Sequence, residues 1–161
     1  MTADVRPTAR PTTPADAVTV VAMASSLAEA VDDPPPRLTA ETLLRATAEG
    51  WCECFVAELR HEIAGYALVS RSYEAHTAKR RLWLGDLYVR PSARHCGVGR
   101  TLIARVARHA LELECDALYW ELWRPNIPAA RFFSEMGAEA VAELAITRLN
   151  RSALRALASR V

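Results

Sequence analysis

Residues 90–110, RPSARHCGVGRTLIARVARHA, join a strand-like segment to the longest helical pattern of the chain. Two of its six glycines, Gly97 and Gly99, stand where the polar loop ends and the apolar periodicity begins. Beyond them, apolar side chains recur at helical spacing, at Leu102, Ile103, Val106, Ala110 and Leu113. Glycine lets the main chain approach a ligand closely because it has no Cβ. This stretch therefore predicts a strand, a glycine-containing turn and a long helix.

The start of that helix is a candidate anion site. The first N–H groups of a helix have no intrahelical partner, and the helix dipole is positive there. Arg94 and Arg100 would add charge-assisted contacts, and Thr101 would add a hydroxyl. The pattern is neither a Walker A loop nor a dinucleotide fingerprint, because Leu102 stands where the fingerprint needs a third glycine. The alternative is an ordinary strand-to-helix loop that uses glycine for its geometry, and this stretch alone leaves both interpretations open.

Length and composition are those of an ordinary globular domain. The 161 residues suffice for one compact domain, and 51% of them are hydrophobic. The 20 basic and 19 acidic side chains nearly balance, so there is no electrostatic case for binding nucleic acid or a membrane surface. No apolar run approaches the roughly 20 residues of a membrane span, and no signal peptide is apparent, so we expect a cytoplasmic protein. The four cysteines lack zinc-type spacing, which predicts free thiols and no metal site.

The remaining segments predict one mixed α/β sheet with helices on its faces. Capping residues mark the helix starts, namely Thr13 with Pro14 and Asp16, Thr39, Asn126 and Asn150. Strand-like patterns are found at 5–9, 52–59, 62–70, 82–89, 116–123 and, as two short strands, 138–149. Residues 1–12 either fray or form the first strand, and the domain proper is expected over 13–161.

A second motif follows the glycine turn after one intervening strand. It is NIPAARFFSEMGA, at 126–138. Together with LGDLYV at 84–89, these motifs resemble those of the GNAT superfamily of acyl-CoA N-acetyltransferases. Residues 82–158 look most like the diamine and polyamine (spermidine/spermine-type) acetyltransferases and their thialysine-acetylating relatives. The resemblance implies a single GNAT-type α/β domain with a mixed, mostly antiparallel sheet of six to seven strands. It also implies helices on both faces of the sheet and a splay between strands 4 and 5.

The resemblance implies acetyl-CoA as co-substrate and a set of residues that hold it. The exposed backbone of the fourth strand, at Leu87, Tyr88 and Val89, would pair with the pantetheine arm. Arg94 would lie beside the pyrophosphate. The main-chain amides under the pyrophosphate would be those of Gly97, Val98, Gly99, Arg100 and Thr101. Asn126 matches an asparagine that caps the next helix and contacts the cofactor arm, although a plain helix cap explains this residue equally well.

Two positions depart from the pattern of these relatives. Gly85 stands where they carry a glutamate that helps to deprotonate the amine, and Phe133 stands where they carry a tyrosine that protonates the thiolate. Asp86 is the carboxylate that remains in this motif. Three roles are open to it: a base that acts through water, an anchor for the ammonium group of the acceptor, or an acceptor of a structural hydrogen bond. Tyr88 is a weaker candidate for catalysis. Glu121 and Tyr73 are weaker candidates for the acceptor site, and Tyr73 is expected in the loop before the fourth strand.

The resulting hypothesis is an N-acetyltransferase that moves the acetyl group of acetyl-CoA to a primary amine of a small molecule. The amine would be a diamine, a polyamine or an amino-acid-like compound, and it would attack directly in a ternary complex. We expect a homodimer, because such relatives commonly form one. Gly85 and Phe133 keep two alternatives open: a catalytically impaired acyl-CoA-binding module, and an acetyltransferase for a natural-product or antibiotic amine. A plain α/β domain that binds no CoA is a third.

Overall fold

The computed structural model describes residues 6–158, which form two compact units. The first extends to Glu121 and the second begins at Leu122. The helices of the first unit are α1 Ala17–Ala30, α2 Ala40–Ala48 and α3 Val98–Glu112. Those of the second unit are α4 Ile127–Ser134 and α5 Arg151–Ala158. Within this described part of the chain, no helix has both the length and the apolar character of a membrane span.

One five-stranded mixed sheet organises the first unit. Its strands are β1 Thr8–Pro11, β2 Glu53–Leu59, β3 Glu62–Glu74, β4 Lys79–Val89 and β5 Ala117–Trp120. They lie side by side in chain order, antiparallel from β1 to β4 and parallel between β4 and β5. This arrangement confirms the predicted α/β class and the mixed, mostly antiparallel sheet.

Two strand predictions need correction. Residues 138–149 form no strand, so the described sheet has five strands rather than six to seven. Val141, Leu144 and Ile146 are instead 47, 68 and 65% exposed. Alternation indicates that a segment is able to form a strand, but a strand also needs a neighbouring backbone, which periodicity does not supply. The first strand lies at Thr8–Pro11 rather than 5–9, and residue 5 is outside the described residues.

Helices begin where the sequence predicts caps. Side-chain oxygens accept main-chain hydrogen bonds at Thr39 from Thr42 (3.2 Å), at Asn126 from Ala129 (3.2 Å) and at Asn150 from Ala153 (2.9 Å). Each bond satisfies a donor that the first turn of a helix leaves without an intrahelical partner. These predictions are confirmed because capping depends on residues within a single turn.

Helices cover both faces of the sheet, as predicted. On one face, Val20 of α1 and Leu43 of α2 pack in one cluster with Tyr66 of β3. Strand alternation turns Phe55 of β2 to the other face, where its ring lies 5.2 Å from that of His109 in α3. The centre of the sheet is consequently buried from both sides.

A charged cluster connects β1 to the start of α1. Arg10 donates two hydrogen bonds to the Asp16 carboxylate, at 2.7 and 3.1 Å. The main-chain N–H of Thr13 donates to the same carboxylate at 2.7 Å, which confirms the predicted capping arrangement. Asp16 is 6% exposed. The hydrogen bonds from Arg10 outweigh the opposing effect of burial and lower the pKa of the carboxyl from 3.8 to about 2.

We expect Asp16→Asn to lower the free energy of unfolding at pH 7 by about 2 kcal/mol, because a depressed carboxyl pKa measures stabilisation of the native state. The pKa of the folded state lies below that of the unfolded state. The contribution is therefore complete above about pH 5 and is lost as the pH falls from about 4 towards 2. Urea unfolding of wild type and variant at pH 7, 5 and 3 measures this difference. Equal stabilities at pH 7, or a difference that grows in acid, would contradict the expectation.

Gly65 of β3 allows a close contact between the sheet and α3. A Cβ at this position would lie 2.5 Å from the Tyr88 carbonyl oxygen and 3.2 Å from the side chains of Val98 and Leu102. Main chain and packed helix residues leave no room for it. The glycine therefore lets β3 lie close to both β4 and the start of α3, although no sequence pattern singled it out.

Gly65→Ala is expected to destabilise the protein by about 1–3 kcal/mol, the usual cost of overpacking a filled core. Gly85→Ala is the matched control, because its Cβ would meet Leu68 atoms at 3.5 and 3.7 Å, which are ordinary van der Waals contacts. Denaturant unfolding of the two variants and the wild type makes the comparison. If Gly65→Ala proved as stable as Gly85→Ala, a Cβ at position 65 would not destabilise the protein, and the expectation would be wrong.

Candidate active site

The sheet opens where β5 stops pairing with β4. Their parallel register ends at Leu84 opposite Trp120. β4 continues to Val89, and along 85–89 it pairs only with β3 among the described residues. Its other edge therefore presents main-chain N–H and C=O groups that an extended ligand can bind. The predicted splay between strands 4 and 5 is confirmed at this point.

A β-bulge in β4 lies at the opening. Leu68 of β3 stands opposite Asp86, whereas the next residue, Val69, stands opposite Leu84, so Gly85 is the extra residue of β4. Bulges bend a strand and increase its twist, and this bulge directly follows Leu84, the last residue of β4 that pairs with β5. Gly85 is exposed, and the space around it accepts a Cβ at ordinary contact distance. The position where the resemblance expects a glutamate is therefore open, and the sequence did not predict the bulge.

The loop after β4 leads to the start of α3. Gly97 precedes the first helical residue and has a φ of +83°, a left-handed conformation that favours glycine. The first main-chain hydrogen bond of the helix runs from the N–H of Thr101 to the Gly97 carbonyl at 3.0 Å. The N–H groups of Val98 and Gly99 come before it, at the positive end of the helix dipole.

Arg94 connects this loop to the open edge. Its Nε donates to the main-chain carbonyl of Val89 at 3.4 Å, at the end of β4. A ligand with amide groups followed by phosphates fits these elements, since amides pair with a strand edge and phosphates bind at a helix N-terminus. Acyl-CoA carries its groups in that order, so the open edge and the glycine turn are suited to hold it.

Asp86 lies beside the opening and accepts a hydrogen bond from the neighbouring strand. The Tyr66 hydroxyl donates to Asp86 Oδ2 at 2.8 Å. Tyr66 is fully buried in β3, and its burial, together with the nearby Asp86 charge, raises the pKa of the phenol well above its usual range. The phenol therefore remains a donor at every ordinary pH. Sequence analysis missed Tyr66, because only the register of β3 and β4 brings it to Asp86.

The Asp86 charge also acts on two buried cysteines, Cys52 just before β2 and Cys54 within it. Burial is the main cause that raises the pKa of both thiols, to about 12 for Cys54. Both cysteines are free, and they stay protonated at ordinary pH. As protonated thiols they are poor nucleophiles and metal ligands, which agrees with the predicted free thiols.

Tyr88 and Glu121 lie near the opening in different environments. Tyr88 is 7% exposed, and its ring centroid is 6.4 Å from that of Tyr66, within the core on the α1 side. Glu121 is exposed and directly follows Trp120, the last paired residue of β5. The structure thus brings both residues to the end of the sheet where Asp86 lies.

Tyr73 does not lie in the loop before β4, where it was predicted. It belongs to β3 and stands opposite Arg80. It is five residues along β3 from Leu68, or about 17 Å at 3.4 Å per residue, so it lies well away from the opening. The polar residues at the end of β3 resemble a loop in sequence, but they pair with the first residues of β4 in a long hairpin.

Asn126 and Phe133, which the sequence motifs also singled out, belong to the second unit. Asn126 accepts the capping bond of α4 described above, and this bond confirms its capping role. Phe133 is 8% exposed, and its ring centroid lies 5.2 Å from that of Phe132 in an edge-to-face arrangement. Phe133 is thus an apolar, buried residue of α4 and offers no hydroxyl.

Comparison with known sequences decides the family. The profile of the acetyltransferase (GNAT) family matches residues 21–138. The chain belongs to this family. The resemblance in the sequence motifs is therefore confirmed, and the open edge of β4 and the glycine turn at α3 are features of a GNAT fold.

Two curated relatives of this GNAT protein are N-acetyltransferases. An L-ornithine N5-acetyltransferase from Arabidopsis thaliana is 30% identical over 95 residues, which are 59% of this chain and 42% of the plant enzyme. A thialysine N-epsilon-acetyltransferase from Bos taurus is 31% identical over 114 residues, which are 64% of this chain and 66% of the bovine enzyme. The chain thus spans less than two thirds of either relative.

A solved structure supports the fold. An integron cassette protein from the mobile metagenome of Vibrio cholerae (V.cholerae) has a TM-score of 0.77 and 20% sequence identity to this GNAT protein. The superposition covers 94% of this chain and 97% of the cassette protein.

Proposed function

We propose that this GNAT protein is an N-acetyltransferase that moves the acetyl group of acetyl-CoA to a primary amine of a small molecule. One observation carries the proposal. The unpaired edge of β4 at 85–89 adjoins both the glycine-shaped start of α3 and the Asp86 carboxylate. A thioester held along that edge and an amine held by that carboxylate would lie at the same end of the sheet.

Co-substrate binding is assigned to main-chain groups. The backbone of Leu87 and Val89 would pair with the amides of the pantetheine arm. Arg94 would add a charge-assisted contact to the pyrophosphate. The amides that would hold the pyrophosphate are those of Gly97, Val98, Gly99, Arg100 and Thr101. Asn126, whose side chain caps α4, remains a sequence-based assignment for the cofactor arm.

The chemistry requires three groups: an amine that has lost its proton, a polarised thioester carbonyl and a proton for the thiolate. Asp86 would anchor the ammonium or take its proton through a water molecule. The amine nitrogen then attacks the carbonyl carbon, the carbon–sulfur bond breaks and the thiolate leaves. Phe133 has no proton to give, so solvent supplies it, with the Tyr88 hydroxyl as a weaker candidate donor.

The acceptor proposed is an amino-acid-like or diamine compound with a terminal primary amine. The names of the two curated relatives specify the N5 nitrogen of ornithine and the epsilon nitrogen of thialysine. Both are primary amines at the end of a short side chain. Glu121 at the mouth of the opening would attract such a cationic acceptor. Tyr73 remains a sequence-based assignment only, because of its distance from the opening. A natural-product amine is the alternative acceptor.

A second candidate function is an acyl-CoA-binding module without turnover. Gly85 and Phe133 favour it, because each removes a group that the polyamine-acetylating relatives use. Acyl-CoA binding would then be retained, since it rests on main-chain groups that neither substitution touches.

A CoA-release screen separates the two functions. Acetyl-CoA would be incubated with ornithine, thialysine, lysine, putrescine, spermidine, an aminoglycoside and a peptide N-terminus, and released CoA measured by chromatography. We expect release by the wild type with a terminal primary amine, and faster release by Gly85→Glu/Phe133→Tyr. Gly85→Gln/Phe133→Tyr is the matched control without the added carboxylate. Release by the Glu variant alone would favour the binding module over the enzyme.

Assembly is proposed from the resemblance, and extent and location are proposed from the sequence patterns. We propose a homodimer, a cytoplasmic location and a GNAT domain over 13–161, to whose sheet the strand β1 at Thr8–Pro11 also belongs. Sedimentation of the purified protein tests the first of these: a mass of one chain at all concentrations would refute the dimer.

A further inference from the structure

The Asp86 carboxylate has a partner that the family motifs did not point to. Tyr66 and Asp86 lie on adjacent strands, where Tyr66 stands opposite Tyr88 and Asp86 stands opposite Leu68. The diagonal contact brings the Tyr66 hydroxyl to 2.8 Å from Asp86 Oδ2. The Tyr66 ring is fully buried in the cluster under α1, so its hydroxyl is held at one end of a rigid side chain.

The hydrogen bond from Tyr66 matters for Asp86 because of the other titratable groups around this carboxylate. The titratable groups that face Asp86 from β2, β3 and its own strand are Cys52, Cys54, Tyr66 and Tyr88. Burial raises the pKa of both cysteines, so they are neutral thiols and place no negative charge beside the carboxylate. A hydrogen bond from a neutral phenol to a charged carboxylate is charge-assisted. It is also directional, so it holds the carboxylate in one orientation.

The two carboxylate oxygens of Asp86 differ in their hydrogen bonding. Tyr66 holds Oδ2, and Oδ1 has no hydrogen-bond partner among the described residues. Gly85 stands next to Asp86, and its exposed backbone has space around it where a side chain would otherwise stand. An acceptor amine can therefore approach Asp86 from the side of the opening.

We propose that Tyr66 is a positioning residue of the acetyltransferase: its hydroxyl fixes the Asp86 carboxylate so that Oδ1 receives the acceptor amine or a bridging water. This inference rests on the proposed function. In place of the glutamate at position 85, this chain uses one aspartate aligned by a buried phenol from the adjacent strand.

The test compares Tyr66→Phe, Asp86→Asn and the double variant by kcat/KM, with the amine that gives the fastest CoA release. Tyr66→Phe keeps the ring and removes the hydroxyl. We expect about a tenfold fall in kcat/KM, the usual effect of losing a hydrogen bond to a charged group. In the Asp86→Asn background the same change should have no further effect.

Val56→Ala is the matched control, because Val56 stands opposite Tyr66 in β2 and is equally buried. It should lower stability in urea without lowering kcat/KM. If Tyr66→Phe does not fold, site-specific Tyr66→3-fluorotyrosine tests the same bond: it strengthens the donor and should change kcat/KM only when Asp86 is present.

Three results would overturn the proposal while the wild type is active. They are an unchanged kcat/KM in Tyr66→Phe, an equal loss of activity with and without Asp86, and an equal loss of activity in Val56→Ala. A wild type that binds acetyl-CoA but acetylates no amine would refute the proposed function instead, and the role of Tyr66 would fall with it.

Discussion

Replacing Gly99 by aspartate is expected to abolish the stabilisation of this GNAT protein by acetyl-CoA. Saturating ligand at 100 times its Kd should stabilise the wild type by about 2.7 kcal/mol. A carboxylate in the first turn of α3 would stand among the amides proposed to hold the pyrophosphate. Repulsion between unit charges about 4 Å apart costs about 4 kcal/mol at an effective dielectric constant of 20, or about 10³-fold in affinity. Differential scanning fluorimetry over a range of acetyl-CoA concentrations measures the loss.

The change is unlike most glycine substitutions because the fold should tolerate it. An acidic residue in the first turn interacts favourably with the helix dipole, so the free protein should be at least as stable as the wild type. Gly99→Asn has nearly the same shape without the charge and should keep most of the shift. A shift that persisted in Gly99→Asp would refute the assignment of the phosphate loop. Equal losses in both variants would indicate a steric cause rather than repulsion.

The second large effect is expected from Asp86→Asn, which should lower kcat/KM by about 10²–10⁴-fold, the range usual for a general acid or base. Stabilisation by acetyl-CoA should be unchanged, because the carboxylate takes no part in holding the co-substrate. Asparagine still offers an oxygen to the Tyr66 hydroxyl, so the fold should be retained. Steady-state CoA release and denaturant unfolding, measured side by side, separate the two effects.

Asp116→Asn is the matched control for this substitution. Asp116 precedes β5, at the end of the sheet away from the opening, and is exposed. We expect its activity to equal that of the wild type. If Asp86→Asn were equally active, Asp86 would be only the structural acceptor for Tyr66, the interpretation that the sequence left open.

Predictions from the sequence succeeded where one turn of chain contains all the interacting groups. Thr39 and Asn126 cap their helices through residues three positions away, and Gly97 takes the left-handed conformation at the start of α3. The same holds for Thr13 and Asp16, whose main-chain hydrogen bond spans three residues. The motifs around these positions were enough to indicate the GNAT family, because each motif lies within one short segment.

The failures concern contacts between distant segments. The alternation over 138–149 predicted two strands, but no neighbouring strand pairs with it among the described residues. Polar residues around Tyr73 predicted a loop, yet pairing with β4 extends β3 through them. In each case the segment's own sequence was compatible with more than one structure, and the backbone available alongside it made the choice.

The sequence by itself determined the family, the helix starts and the glycine turn, because these depend on local geometry and on motifs within a few residues. Only the tertiary structure decided that Gly65 leaves β3 room beside β4 and α3 and that Gly85 lies in a bulge. It also decided that Tyr66 holds Asp86. A shift of one residue in register turns every side chain of a strand to the other face, and the bulge makes such a shift after Leu68. Side-chain partners across this sheet therefore follow from the paired backbone, which no single strand encodes.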